Sequence, residues 1–212
     1  MTSPRNERFD AAIAQFDAAN AEDPNREAVG GAMRPKELVY ADRMTAMLAR
    51  IDPDASEALR LAARCQHIER WKIPRAEYPM TRAGYQQWRT RLRDFHADRA
   101  RAILRDAGYD DATIGRVRAL IRKEGLKHDA EAQALEDIVA LVFLESYLED
   151  FVAKHAGYDD AKFVDILRKT ARKMSARGRA AALSRISAPA ALMPAIRVAM
   201  AEPHPDGGSP PA

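Results

Sequence analysis

The spacing of apolar residues constrains this chain more than any other feature of its sequence. Apolar residues recur at three- and four-residue steps along almost all of the 212 residues, as they do on the buried face of a helix. Alternating runs rich in Val, Ile and Thr, which are typical of half-buried strands, are missing. The sequence therefore predicts an all-α protein without a sheet.

Polar residues at helix starts divide this pattern into separate helices. The candidate N-caps are Asp54 or Ser56, Thr81, Asp110 or Asp111, Asp159 or Asp160, and Ser175. A first helix over about residues 6–20 is followed by a loop that contains Gly30-Gly31, and a second helix begins near Pro35 and ends before Pro53.

The segment from 129 to about 153 is predicted to be the central helix of the bundle. Its middle, residues 138–144, is apolar on every side, which is typical of a helix surrounded by others. We predict one helical domain over residues 1–187. Residues 188–212 are rich in Ala and Pro, and this composition predicts a disordered C-terminal tail.

Composition excludes several classes of protein. The 34 Lys and Arg nearly balance the 31 Asp and Glu, which argues against broad coating of nucleic acid. No apolar run approaches the roughly 18 residues of a membrane span, so no membrane association is expected. The single Cys65 and an N-terminus without an apolar stretch predict a cytoplasmic location. The sequence does not predict an oligomeric state.

Two imidazoles and one carboxylate are candidate metal ligands. His96 lies on the apolar stripe of its helix, Asp137 shares a stripe with Leu141 and Leu144, and His67 ends the third helix. Together they would form a half-shell for a divalent transition metal, Mn, Fe, Ni or Zn.

Each of these residues also has a purely structural interpretation. His96 is interpreted as a hydrogen-bonded core histidine, and Asp137 as the carboxylate of a salt bridge to an arginine. His67 is interpreted as a cation that interacts with a helix C-terminus.

Basic residues concentrate in two stretches, around the fourth helix and around residues 168–185. A local excess of this kind predicts an anion, either a phosphate-bearing small molecule or a local RNA contact. Arginine binds phosphate with two parallel hydrogen bonds, and an aromatic side chain can form a wall for a base. The candidate substrate-binding residues are Arg70, Trp71, Arg75, Arg89, Lys169 and Lys173.

Seven strings in this chain closely resemble domain-of-unknown-function family 4202, over about residues 6–185. They are Asn20-Ala-Glu-Asp-Pro-Asn25, Leu38-Val-Tyr-Ala-Asp-Arg-Met44, Gln66-His-Ile-Glu-Arg-Trp71 with Pro74-Arg75, Tyr85-Gln-Gln-Trp-Arg89, Phe95-His96, Leu135-Glu-Asp-Ile-Val-Ala-Leu-Val-Phe-Leu144 and Lys169-Thr-Ala-Arg-Lys-Met-Ser175. This resemblance implies no activity.

The order of helices is also similar, more remotely, to that of the HD-domain superfamily of metal-dependent phosphohydrolases. That resemblance implies an HD-like helical bundle in which His67, His96 and Asp137 hold the metal. The chain departs from the HD pattern at two positions, because Ile68 replaces the aspartate after the histidine and Tyr40 occupies the slot of the first histidine. Glu37 or Glu69 is an alternative oxygen ligand.

Three functions are consistent with these residues. The first is a metal-dependent phosphohydrolase that acts on a nucleotide or phosphorylated metabolite, with Glu69 or Glu136 as general base and Lys123 beside the phosphate. The second is a non-catalytic protein that binds the phosphate of a nucleotide or RNA. The third is a helical scaffold in which the three candidate ligands form one buried hydrogen-bond network.

Overall fold

A computed structural model of the chain describes the backbone of residues 4–201 and the side chains of residues 6–201. Within this part, the elements are α1 (Pro4–Ala21), β1 (Arg26–Val29), β2 (Ala32–Pro35), α2 (Lys36–Ile51), α3 (Glu57–Cys65), α4 (Arg82–Asp106), α5 (Asp111–Arg122), α6 (Ala130–Ser146), α7 (Leu148–Lys154), α8 (Asp160–Ala171), α9 (Ala176–Ser184) and α10 (Met193–Met200). Short 3-10 turns lie at Arg70–Lys72, Arg75–Glu77 and Ala190–Leu192. The prediction of an all-α protein is confirmed.

Polar N-caps begin five of these helices, as their sequence positions predict. The hydroxyl oxygens of Ser56, Thr81 and Ser175 and the carboxylates of Asp110 and Asp159 each accept a hydrogen bond from the backbone N–H three residues later. Such a bond satisfies one of the N–H groups that the first helical turn leaves unpaired.

Residues 26–35 form a hairpin where the sequence predicted a loop. Strands β1 and β2 pair antiparallel, with Val29 opposite Ala32. Gly30 and Gly31 adopt φ values of 57° and 84°, the left-handed pair that a two-residue hairpin turn needs. Four-residue strands are too short to show an alternating pattern, so the expectation of no sheet was wrong here.

The described residues divide into two compact units, unit 1 up to Ala132 and unit 2 from Gln133, where the sequence predicted one domain over residues 1–187. Helix α6 continues across this division. Helical periodicity shows that a helix buries one face, but it does not show which helices share a core.

Unit 1 is built from α1 to α5 and the hairpin. Helix α4 packs along α5, α3 packs against α2 and α5, and α1 contacts α2, α3 and α4. The largest fully buried side chains of this core are Phe16, Met44, Leu59, Leu61, Ile68, Leu104 and Leu120. Ile68 is notable because it lies in the turn between two candidate functional residues, so that this turn is anchored in the core.

Unit 2 contains most of α6 and helices α7 to α10. Ile138, Leu141 and Leu144 of α6 are fully buried, in agreement with the apolar segment of the sequence. The predicted helix over 129–153 is interrupted, however, because Tyr147 has φ −128° and ψ −9°. This conformation ends α6 and starts α7.

The predicted disordered tail is corrected for residues 190–200. They form a 3-10 turn and α10, which packs against α8 and α9. Ile196 and Ala199 are fully buried, and the proline of this helix occupies its second position, where a missing N–H is tolerated. Residues 202–212 lie outside the described residues.

No helix within residues 4–201 is both long enough and apolar enough to cross a membrane.

Candidate functional site

The loop that follows α1 positions the first turn of α2. The carboxylate of Asp23, which is buried, accepts hydrogen bonds from the backbone N–H of Asn25 at 2.9 Å and of Glu37 at 3.0 Å. The backbone N–H of Lys36 donates to the carbonyl of Asn25 at 3.0 Å. Lys36 and Glu37 are therefore held in place by the loop.

A left-handed residue fixes the turn after α3. Glu69 has φ 52°, a conformation that is uncommon for a residue other than Gly, Asn or Asp. The side-chain oxygen of buried Asn20 accepts its backbone N–H at 3.0 Å. Its carboxylate receives Lys72 Nζ at 2.7 Å and Arg99 Nε at 2.9 Å. Both oxygens of this predicted general base are thus held by cations.

His67 lies in this turn between three side chains. Its ring stacks on Tyr40 with centroids 4.1 Å apart and an interplanar angle of 13°. Its Nε2 is 3.0 Å from Arg70 Nη1, and its Nδ1 is 3.6 Å from Glu37 Oε2. A guanidinium can only donate, so Nε2 accepts and the ring proton is on Nδ1, toward Glu37.

Positive charge surrounds this imidazole. Burial lowers the pKa of His67 well below its ordinary value, and four nearby cations lower it further. In order of effect they are Arg70, Lys123, Arg89 and Lys36. The ring is neutral at physiological pH, and 24% of its side chain is exposed. We call these four basic residues, together with Glu37, Tyr40, His67 and His96, the His67 cluster.

His96 contributes a second neutral imidazole, 5.9 Å from the ring of His67. It is 2% exposed, and its Nδ1 is 2.7 Å from the carbonyl of Ile68. A carbonyl can only accept, so Nδ1 carries the proton. Burial and the neighbouring His67 lower the pKa of His96 well below its ordinary value, which leaves Nε2 as a bare acceptor. Within the part of the chain that the structure describes, this buried atom has no hydrogen-bond partner.

Glu37 is the acid of the His67 cluster. It is 7% exposed, and burial raises its pKa to about 7, against the opposing charges of Arg70 and Lys36. A carboxyl with a pKa near neutrality exchanges a proton readily under physiological conditions. Glu37 therefore has the properties of a proton acceptor or donor.

The arginine-rich loop after His67 contributes fewer residues to the His67 cluster than predicted. Arg75 donates to the carbonyl oxygens of Tyr78 and Pro79 at 2.8 and 2.9 Å, so its guanidinium is used to hold the loop. Trp71 is half-buried in the first 3-10 turn. Of the predicted loop residues, Arg70 alone has a contact with an imidazole of the cluster.

Asp137, in unit 2, accepts hydrogen bonds from Ser175 and Gln133, and none of the described arginines pairs with it. Its Oδ1 accepts from the backbone N–H of Ser175 at 2.8 Å and from Gln133 Nε2 at 3.0 Å, and its Oδ2 accepts from the Ser175 hydroxyl. Burial raises its pKa, while the bonds from Ser175 oppose that shift. The carboxylate lies at the N-terminus of α9, where a negative charge is favourable. It packs directly against Gly178.

The remaining predicted site residues also lie in unit 2. Glu136 is buried on α6. Lys169 forms an exposed salt bridge with Asp165 at 2.7 Å, and the carbonyl of exposed Lys173 accepts from Gln133 Nε2 at 2.9 Å. None of these contacts indicates a ligand site.

The described residues provide no ready-made set of ligands for a divalent cation. In the described part of the chain, no group of three or more His, Cys, Asp or Glu side chains is arranged to hold a metal ion. Nε2 of His67 already accepts from Arg70, and the surrounding charges are positive. The metal centre of His67, His96 and Asp137 stays a prediction.

Sequence reasoning missed the residues that support the cluster. The sequence placed Asn20 at the end of the first helix, Asp23 in the loop that follows and Arg99 among the basic residues of the fourth helix, and it gave no role to Lys36. A polar string between two helices gives no periodic signal, so only its resemblance to a family motif marked residues 20–25.

The described chain is thus an all-α protein. Its unit 1 contains the His67 cluster, which combines basic side chains with two imidazoles. The chain belongs to the family described as domain of unknown function DUF4202, whose model matches residues 10–196. No curated protein and no solved structure matches the chain. The likeness to HD-domain phosphohydrolases therefore stays a prediction.

Proposed function

We propose that unit 1 binds a phosphate-bearing ligand at the His67 cluster without a metal ion. The observation that carries this proposal is the contact of Arg70 with a neutral, partly exposed imidazole. The charges of three further basic side chains also lower the pKa of this imidazole. Like charges so close together repel each other, and a bound anion removes that repulsion.

The chemistry of the cluster suits a phosphate group. Arginine binds phosphate through its planar fork of donors, and lysine does so as a point charge. The bare Nε2 of His96 adds a buried acceptor, which costs free energy while it is unpaired. A ligand with a hydroxyl group or a protonated phosphate oxygen would satisfy it.

Calorimetric titration with inorganic phosphate tests this function, with Arg89→Ala as the test variant and Arg91→Ala as the control. Both residues are on α4, but Arg91 is exposed and does not act on His67. We expect Arg89→Ala to weaken phosphate binding about tenfold, because it removes a charge-assisted hydrogen bond. Arg91→Ala should leave the affinity unchanged, and EDTA should have no effect.

Two results would contradict the proposal. One is an equal loss of affinity in both variants, which would indicate a general charge effect and no local site. The other is a loss of binding in EDTA, which would support the metal-dependent alternative.

Hydrolysis of a phosphate ester at the same cluster is a second candidate function, and Glu37 favours it. Its carboxyl has a pKa of about 7 and lies 3.6 Å from Nδ1 of His67, a pair suited to general base catalysis. Release of phosphate from p-nitrophenyl phosphate by the unaltered protein, and its loss in Glu37→Gln with phosphate binding retained, would support this function.

A further inference from the structure

An exposed tyrosine lies beside the His67 cluster. Tyr85 is on the first turn of α4 and is 40% exposed. Arg89, one turn later on the same helix, lies 5.8 Å from the centre of the Tyr85 ring and is also one of the cations that act on His67. One helical turn advances only ~5.4 Å. The ring and the basic cluster are therefore adjacent.

The neighbouring aromatic residue, Trp88, has a structural role. It is 8% exposed, and its indole N–H donates to the carbonyl of Ile73 at 2.9 Å. Arg70 lies 4.9 Å from the centre of its ring. Trp88 thus supports Arg70, whereas Tyr85 retains an exposed ring.

The arginines near Tyr85 contact its ring only at long range. Arg75 and Arg89 are 5.9 and 5.8 Å from its centre, close to the limit of a cation–π contact at about 6 Å. Elsewhere in unit 1, the guanidinium of Arg8 is 4.2 Å from the ring of Tyr109, and that of Arg60 is 4.3 Å from the ring of Phe9. The ring of Tyr85 also contacts the ring of Trp88, with centroids 5.8 Å apart. With 40% of the residue exposed, part of the ring is accessible to a flat ligand group.

We propose, on the basis of the function proposed above, that the ligand is a small nucleotide whose base stacks on Tyr85 while Arg89 and Arg70 bind its phosphate. Stacking on an aromatic ring is available to every base, because every base has a π-face. The site would therefore select a nucleoside phosphate over a sugar phosphate, without a strong preference between bases.

The charges around the site favour a small nucleotide over an RNA strand. Farther along α4 and α5, Arg99 pairs with Glu69, Arg118 with Asp98 and Arg122 with Asp94. Binding along a strand needs a basic groove that follows several successive phosphates. These ion pairs neutralise three of the arginines that such a groove would need.

Calorimetric titration of the full chain with three probes tests the inference. The probes are inorganic phosphate, ribose 5-phosphate and adenosine 5′-monophosphate. We expect the nucleotide to bind about tenfold more tightly than the sugar phosphate, because stacking of one base on an aromatic ring has an effect of that order. Tyr85→Ala should remove this difference and leave phosphate binding unchanged, whereas Tyr85→Phe should retain it.

Met80→Ala is the matched control, since Met80 is 82% exposed just before α4; this variant should bind all three probes as the unaltered protein does. If phosphate binds but the nucleotide and sugar phosphate have equal affinities, the inference fails and the proposed function stands. If no probe binds, both fail. Tighter binding of a short RNA oligomer than of the nucleotide would overturn the inference in favour of an RNA site.

Discussion

The two units each bury a carboxylate, and the two carboxylates are partnered in different ways. Asp137 in unit 2 accepts three hydrogen bonds from Ser175 and Gln133. Glu37 Oε2 in unit 1 lies 3.6 Å from Nδ1 of His67, and the charges of Arg70 and Lys36 lower the pKa of Glu37. Burial raises the pKa of both groups. A raised pKa therefore does not distinguish a structural carboxylate from a candidate functional one. The groups in contact with each carboxylate do distinguish them.

The largest expected effect is on stability, from Asp137→Ala. The substitution removes the acceptor of the half-buried Ser175 N–H and hydroxyl groups, and it removes a favourable charge from the start of α9. Gln133 Nε2 keeps the carbonyl of Lys173 as an acceptor. We expect the free energy of unfolding to fall by about 4 kcal/mol, measured by urea denaturation.

Asp165→Ala is the control for that variant, because Asp165 forms an exposed salt bridge with Lys169 and such pairs contribute little. Its stability should be nearly unchanged. If Asp137→Ala were equally mild, the interpretation of Asp137 as a structural acid would be wrong.

A slightly smaller loss of stability is expected from Gly178→Ala. A Cβ atom at this position would lie 2.6 and 2.7 Å from the two carboxylate oxygens of Asp137, which is closer than van der Waals contact allows. We expect a loss of about 3 kcal/mol in thermal or urea unfolding.

Gly115→Ala provides the opposite control, since Gly115 is also helical but has open space around its Cβ position. Alanine there should stabilise α5 by about 0.5–1 kcal/mol. Equal effects in the two variants would mean that the contact with Asp137 does not limit position 178.

The smallest effect is the pH dependence of stability that Glu37 contributes. Its pKa is about 7 in the folded protein and 4.5 in the absence of burial. Between these two pH values the folded state binds more protons than the unfolded state. The contribution of Glu37 to the stability of the folded state is therefore complete below pH 4.5 and is lost as the pH rises through 7. His67 and His96, whose pKa values are lowered, have the opposite effect below pH 6.5.

Comparison of the unaltered protein with Glu37→Gln isolates the contribution of Glu37 from that of the histidines. From pH 5 to pH 6.5, the free energy of unfolding of the unaltered protein should fall by about 2 kcal/mol relative to that of Glu37→Gln. Urea unfolding at a series of pH values measures it, and parallel profiles would show that Glu37 ionises normally in the folded protein.

Most of the helical architecture could be predicted from the sequence. Ser56, Thr81 and Ser175 cap their helices as expected, because an N-cap bond depends only on residues two or three positions away. The hairpin at Gly30-Gly31 was missed, since its strands are four residues long. The packed helix α10 was also missed, because its composition resembles that of a disordered segment.

The candidate site was predictable only in part. His67, His96, Arg70, Arg89 and Lys123 were all identified by residue type and position, and all five belong to the His67 cluster. The partner of Asp137 could not be identified, because Ser175 is 38 residues away along the chain. The hydrogen bond from the backbone N–H of Glu69 to Asn20 could not be predicted for the same reason, because 49 residues separate the two.

The sequence by itself determined where the capped helices begin and which helical faces are apolar, because these properties arise from hydrogen bonds and side-chain periodicity within a few residues. Only the tertiary structure decided which buried polar groups are satisfied. That outcome depends on donors brought from distant segments: Asp137 accepts three hydrogen bonds, whereas the Nε2 of His96 has no hydrogen-bond partner among the described residues.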